Sequence, residues 1–558
     1  MTSLRRSDVL FGAVLGAAYV SLLVSTAANL GFARDEGFYF TAADRYVRWL
    51  GELVDDPAEA LRHENVDATW GHNSEHPPLM KTLFGLSHEL FHEELGLFAD
   101  HSTAYRFPAM LLAGLTIWLL YLMGTEAYGR AAGLAAAVAF GLAPRPFYHS
   151  HLACFDLPIT AMVLSITYAY WKSLGTRRAG WYALLAGVLW GLGLLTKINA
   201  LFVPATLLIH YVVVRTRGGA LFPRVPRALL AMAILGPPIF VGLWPWLWHD
   251  TLPRIGSWIG FFRHHDYYTI EYLGITYFRP PFPLSYPWGM LLFTLPATTI
   301  FLVVQGAFLR GRALLPERLC ARLGFGGKPD ERRTDLLVLT SALVPILLIG
   351  NGRAPIFGGT KHFLPAVPFL ALLAGAAFAS VLEGARRALA NRRRALGAAT
   401  VSLWAALALP LARETAASHP FGLSHYNVVA GGTPGAADIG LCRQFWGFTT
   451  GSLTEWLSRV VRPGRGVQLH DTAVDSYRMF KRDGRLRADI RYAPTAAGAD
   501  LALVHHEQHW AFLEYALWDT YRTAVPIKVL THQGVPIVTV YGHLSAGGAA
   551  PPPRAPPP

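Results

Sequence analysis

The apolar run VLFGAVLGAAYVSLLVSTAANLGF, Val9 to Phe32, ends in Ala33-Arg34-Asp35-Glu36-Gly37-Phe38-Tyr39-Phe40. Only Ser21, Ser25, Thr26 and Asn29 interrupt the run, which is long enough to span a bilayer as a helix. A charge at the end of such a helix is ordinary, because the segment must leave the membrane in something polar. The adjacent carboxylates Asp35 and Glu36 therefore gain meaning only from what the rest of the chain sets beside them. Arg5-Arg6 ahead of the run imitates a secretory signal, but the length of the run and the spans that follow favour an uncleaved first span.

Composition extends this reading to the whole chain. Of 558 residues 53% are hydrophobic and 15% charged, whereas a soluble protein carries about a quarter charged residues. The net charge of +13 would suit nucleic acid, yet the arginines fall in short segments between apolar runs. That placement carries topology, so no nucleic-acid partner is expected and the bilayer itself is the first partner. Cys154, Cys320 and Cys442 lie far apart without a CxxC, which indicates neither a zinc site nor a disulfide framework.

Further runs of membrane length occur at 106–124, 131–149, 157–174, 181–196, 198–214, 228–248, 287–309, 335–350, 362–382 and 395–412. With the first, about eleven transmembrane helices are expected, making this a polytopic α-helical membrane protein. Basic residues orient it. Arg5, Arg6, Arg130, Lys172, Arg177, Arg178, the arginines of 215–227, those of 310–333 and those of 386–394 all fall on one side, which is expected to be cytoplasmic. The N-terminus is then inside and the C-terminal segment periplasmic or extracellular, in an inner membrane.

The outer side receives a long loop, 33–105, in which 44–53 and 79–90 have the patterning of surface helices. It also receives the turn at 149–156, the junction Thr196-Lys197, an aromatic loop at 249–286 and the segment Asn351 to Lys361. Residues 1–413 read as the transmembrane core and 414–544 as a small α/β domain. Strands are expected there at 466–470, 501–505 and 535–541, and helices near 454–461 and 509–520. The Pro/Ala-rich tail 545–558 is expected to be disordered.

Four outer-side groupings can carry chemistry. These are Asp35-Glu36; Asn73-Ser74-Glu75-His76-Pro77-Pro78-Leu79-Met80-Lys81 with Arg106; His149 to Pro158 with Asp156 at the mouth of a span; and Lys197 between two apolar runs. Carboxylates can activate a hydroxyl nucleophile, and cations at the same interface can hold a lipid phosphate. Each residue alone is equally a helix-end charge or ion-pair member, and Arg106 is the easiest to explain by snorkelling. Residue types and sidedness alone thus describe a multi-span protein with a charged outer cavity, a transporter or flippase of lipid-linked sugars as readily as an enzyme.

The ordered stretches RDEGFYFTAADRY, EHPPLMK, YRFPAMLLAG, YGRAAGLAAAVAFGLAPRPFYHSHLACFDLPI and GLGLLTKINAL, followed by GGTKHFLPAVPFL and HPFGLSHYNVVAGGTPGA, resemble the bacterial protein-mannosyltransferase-like glycosyltransferases of the GT-C type. That group is similar to the protein O-mannosyltransferases, glycosyltransferase family 39-like, and to the aminoarabinose transferases. The resemblance covers about residues 9–460 and is strongest over 33–200. It implies an inverting hexosyl- or pentosyltransferase that moves mannose or a similar sugar from a polyprenyl-phosphate donor to a protein Ser/Thr or glycolipid hydroxyl on the periplasmic face.

The resemblance also implies roles at matched positions. Asp35 matches the catalytic base, Glu36 its neighbour near the acceptor, and Asp156 the second carboxylate. Arg106 matches the arginine on the donor phosphate, with Lys81 and Lys197 beside it, while Glu75 and His76 flank the cavity. No cofactor is required. A divalent metal on Glu75 with His264 or His265 is the one alternative, drawn from the aminoarabinose branch, from which His76 departs.

Overall fold

The computed structural model describes residues 3–216, 225–264, 266–315, 319, 330, 332–507 and 510–543. The chain is mainly helical, and every apolar run read from the sequence forms helix. Among the described residues, five helical stretches are long and apolar enough to cross a membrane: Arg6–Asn29, His101–Tyr128, Ile198–Arg215, Leu364–Ala388 and Arg393–Ser418. Five more, Arg130–Gly141, Ala179–Leu194, Arg227–Gly242, Ala297–Arg310 and Thr334–Ile349, are apolar but shorter. This is a multi-pass membrane protein.

Two expected spans are each split into two α-helices, with a proline at each break. The run at 287–309 becomes Tyr286–Thr294 and Ala297–Arg310, with Pro296 between them. The run at 131–149 becomes Arg130–Gly141 and Pro144–His149, where Pro144 opens the second piece without a donor to lose.

Small residues let the helices approach closely. Gly16 of the first helix faces Gly114 of His101–Tyr128, where a Cβ on Gly16 would lie 2.6 Å from the Gly114 carbonyl oxygen. Several basic residues expected on the cytoplasmic side are neutralised at one end of the bundle. Arg130 pairs with Asp8 at 2.6 Å, while Lys172 and Arg332 share Glu126 at 2.6 and 3.1 Å.

The loop after the first helix is itself helical. Arg34–Asp55 is amphipathic, with Tyr39, Phe40, Ala43, Tyr46 and Trp49 buried along one face, and Leu79–His88 packs against it. Leu79–His88 starts after Pro77-Pro78.

The C-terminal part carries a five-stranded mixed sheet. Its order is Arg491–Tyr492, Gly466–Leu469, Leu501–His505, Val535–Gly542, Lys528–His532. The first two pairings are parallel and the last two antiparallel. Helices Val474–Arg482 and Ala511–Tyr521 accompany the sheet. The tail 545–558 lies outside the described residues.

Sheet segment and bundle meet with almost no space between backbones. A Cβ on Gly31 would lie 1.9 Å from the Phe448 carbonyl oxygen, and one on Gly451 would lie 2.3 Å from the Gly31 Cα. Arg34 Nη1 reaches Asp471 Oδ1 at 2.9 Å across the same seam, and Arg485 donates to the Leu30 carbonyl at 2.6 Å.

Candidate active site

A cavity of about 480 Å³ lies where the amphipathic helix, the 73–76 turn and several bundle helix ends converge. Asp35, Glu75, His76, Asp156 and Lys197 all line it, so five of the residues singled out in the sequence come together. Lys361 and Arg34 complete its charged lining.

Two lysine–aspartate pairs organise the charges. Lys197 Nζ lies 2.5 Å from Asp156 Oδ1, and Lys361 Nζ lies 3.5 Å from Asp35 Oδ2. Asp156 is the first residue of its helix, Asp156–Ser173, where the positive end of the helix dipole favours a carboxylate. Lys197 follows the helix Ala179–Leu194 in an extended backbone, φ −162° and ψ 148°, before the next helical turn begins.

Lys361 stands over the rings of Trp446 and Phe357, at 4.1 and 4.2 Å from their centroids. These faces attract the ammonium. Burial nonetheless lowers its pKa, against the pull of Asp35 and Asp156. Asp35 is a quarter exposed. Burial works to raise its pKa, but Lys361 and Arg34 outweigh burial and hold Asp35 below the ordinary carboxylate range. It is therefore ionised at neutral pH and able to accept a proton.

His76 is neutral. Burial, reinforced by Lys81, pushes its pKa down to about 3. Its ring packs edge-on against Tyr39 and Phe155, and its buried Nδ1 has no hydrogen-bond partner among the described residues. Glu75 accepts from Asn73 Nδ2 at 2.5 Å.

Three expected site residues do other work. Glu36 is completely buried beside Asp35 and faces Arg106 instead of the cavity. Arg106 donates from Nε to Glu36 Oε1 at 2.8 Å and from Nη2 to Oε2 at 2.9 Å. The other acceptors of Arg106 are the carbonyls of Gly31 and Ala27, and Glu36 also accepts from the backbone N–H groups of Ala33 and Ala153. The pair thus ties three chain segments together, 27–36, the helix of Arg106 and the turn at Ala153, and fixes the helix start that carries Asp35.

Lys81, also fully buried, donates to the carbonyls of Asn73 and His76 at 2.7 and 2.8 Å and to Asn73 Oδ1 at 3.2 Å. It clamps the turn that presents Glu75 and His76. Neither Arg106 nor Lys81, both expected from the sequence to sit on the donor phosphate, lines the cavity. Both are buried and committed to backbone carbonyls.

Lys361 is a charged cavity-lining residue that the sequence reading did not single out. Its signal was a lysine at the head of an apolar run, the same pattern that singled out Lys197. Of the metal candidates, Glu75 lines the cavity while His264 does not; it bonds through Nδ1 to the Gly260 carbonyl in its own helix. His265 lies outside the described residues.

The cavity has two extensions of different character. Toward the bundle, Asn199, Phe202, Leu348, Ile349 and His362 also line an apolar slot of about 50 Å³ between the helices Asp156–Ser173, Val203–Thr216 and Thr334–Ile349. Toward the sheet segment, Arg34, Tyr268 and Phe357 also line an aromatic cleft of about 370 Å³ that includes Trp446, Trp510, Asp471 and Glu507.

Residues 75–246, which include His76, Asp156 and Lys197, match the family described as dolichyl-phosphate-mannose-protein mannosyltransferase. That match spans less than half of the chain and is a likeness of these residues alone. Among solved structures, the chain is similar to ArnT from Cupriavidus metallidurans bound to undecaprenyl phosphate. Identity there is 15%, covering 94% of this chain and 97% of that one, with a TM-score of 0.47. It is also similar to the Archaeoglobus fulgidus oligosaccharyltransferase in the apo form, at 11% identity over 92% and 71% of the two chains and a TM-score of 0.48. None of the curated proteins matches by sequence.

Proposed function

We propose that this protein is an inverting glycosyltransferase of the GT-C type that moves a sugar, mannose or a similar hexose or pentose, from a polyprenyl phosphate to a hydroxyl acceptor on the periplasmic face. The observation that carries the reading is the pairing of Asp35 with Lys361 and of Asp156 with Lys197 on one cavity that continues into an apolar slot. A lipid-linked sugar phosphate needs both environments at once, cations for its phosphate and apolar walls for its chain. The helical runs support the multi-span topology, and the arginines between them in the sequence favour this orientation.

In the proposed reaction the acceptor hydroxyl oxygen attacks the anomeric carbon as the bond from that carbon to the phosphate oxygen breaks. The bonding electrons leave with the polyprenyl phosphate, and the hydroxyl proton passes to Asp35. Lys361 and Lys197 stabilise the charge that gathers on the departing phosphate, in place of the Arg106 and Lys81 contacts expected from sequence. Asp156 holds Lys197 in position, and Glu36 with Arg106 holds the helix start behind Asp35. No metal-dependent step is needed for this transfer. The aromatic cleft beside Arg34 is the approach for a protein or glycolipid acceptor.

The test uses the purified full-length chain in detergent with labelled polyprenyl-phosphate mannose and an extract of periplasmic proteins and lipids. Label should move to acceptors with inversion at the anomeric carbon. Movement of intact labelled lipid across liposomes, without loss of the sugar bond, would instead identify a flippase and overturn the reading.

A further inference from the structure

Outside the cavity, the seam between the first loop and the sheet segment holds an unusual concentration of imidazoles. His88 and His92 stand four residues apart, on either side of the junction between the helix Leu79–His88 and the π-helical turn Glu89–Glu94. His101 opens the long helix His101–Tyr128. The ring centroid distances are 5.2 Å for His88–His92, 5.2 Å for His88–His101 and 3.9 Å for His92–His101. Glu93 closes the set, its Oε1 lying 3.5 Å from His88 Nε2, 4.0 Å from His92 Nε2 and 3.9 Å from His101 Nδ1.

We propose that His88, His92, Glu93 and His101 form a structural zinc site. Their four ligand atoms all lie within 4.8 Å of one another. In a tetrahedral site with metal–ligand bonds of about 2.0–2.1 Å, neighbouring ligand atoms are about 3.3 Å apart. The observed separations bracket that value: His88 Nε2 and His101 Nδ1 are at 2.9 Å, while the carboxylate is slightly beyond.

The tautomer of His92 suits a ligand. Its Nδ1–H donates to the Phe98 carbonyl at 2.8 Å, which leaves the Nε2 lone pair directed at the cluster. Three imidazoles and one carboxylate are a borderline donor set that zinc accepts, and four protein ligands leave no open position for chemistry. The role is therefore to clamp the turn 89–100 onto the head of the helix that carries Arg106.

The surroundings join the site to both halves of the protein. His88 stacks on Tyr105 at 4.2 Å, Tyr105 donates to Asp44, and Arg482 from the sheet segment pairs with Asp44 at 3.1 Å. Asp483 caps the Ser102 N–H at 3.1 Å. One group opposes the metal: Arg482 Nη2 lies 3.5 Å from His88 Nε2, and its guanidinium must stay on Asp44 and Tyr105 when the site fills. Glu93 is half exposed and gives the ion a way in.

The experiment uses full-length protein with its affinity tag removed, stripped by chelator, then loaded with zinc and measured by elemental analysis after gel filtration. One zinc per chain is expected in the wild type and in His264→Ala, and none above background in the His92→Gln/His101→Gln double variant. Cobalt in place of zinc should give the intense visible bands of tetrahedral coordination. Should the double variant fail to fold, Glu93→Gln, at the exposed edge, should still weaken zinc binding at least about tenfold. Zinc absent from the wild type, or retained undiminished in these variants, would overturn the site.

Discussion

Arg106 and Glu36 form a buried, two-pronged ion pair, with Nε on Oε1 at 2.8 Å and Nη2 on Oε2 at 2.9 Å. The carboxylate beside Asp35 is therefore a fixed internal counter-charge, and Asp35 alone of the two faces the cavity. Removing one partner of such a pair leaves the other charge buried and uncompensated, at a cost of about 3–5 kcal/mol. Arg106→Leu and Glu36→Leu should each lower thermal stability in detergent by that order. The double variant should recover part of the loss. Equal stability of the single variants and the wild type would remove the pair's structural role.

Lys361 and Lys197 should behave differently. Lys361→Met and Lys197→Met keep the aliphatic stem and remove the charge that would meet the departing phosphate. Loss of one such stabilising contact lowers kcat by about 10²–10³-fold. Lys197→Met also leaves Asp156 buried without its lysine, so some stability should be lost as well and rates are compared where each variant is folded. Steady-state transfer rates beside melting curves separate the two classes of variant.

Lys81 links the site to its scaffold. Its ammonium satisfies three oxygens of the turn 73–76 and lies outside the cavity. Lys81→Met should leave those acceptors buried without a donor, at about 1–3 kcal/mol each. It should also loosen Glu75 and His76, so that donor KM rises along with the loss of stability. An effect on kcat alone, with unchanged melting, would argue for direct contact with substrate.

The pH profile follows from the site's charges. Asp35 is held below the ordinary carboxylate range, so it stays ionised through that range and loses its charge only as pH falls further. His76 stays neutral down to about 3 and adds no histidine inflection. Transfer should therefore be flat between about pH 4 and 6 and fall only at lower pH. An inflection near 6.5 that disappears in His76→Gln would contradict this assignment.

Much of this was legible in the sequence for identifiable reasons. Apolar runs fix helices because a membrane helix must satisfy its own backbone, and all eleven runs are helical. The sheet strands at 466–469, 501–505 and 535–542 announced themselves as short apolar segments in a polar stretch. Asp35, Asp156 and Lys197 stood out because charges at span ends are few. What could not be read was partnership across long separations. Nothing in the spacing says that Arg106, seventy residues on, takes Glu36, or that Lys361 turns back onto Asp35. Lys361 was hidden inside a basic-to-apolar junction, and the His88, His92 and His101 set became a cluster only once the turn at 89–100 brought the rings together.

The central claim rests on Asp35, and its most direct test is the Asp35→Asn variant of the full-length chain. Asparagine keeps the shape and removes the proton acceptor. With folding checked by melting and donor binding checked with labelled polyprenyl-phosphate sugar, the transfer rate should drop about 10²–10⁴-fold while donor binding persists. Transfer at the wild-type rate in that variant would contradict the account.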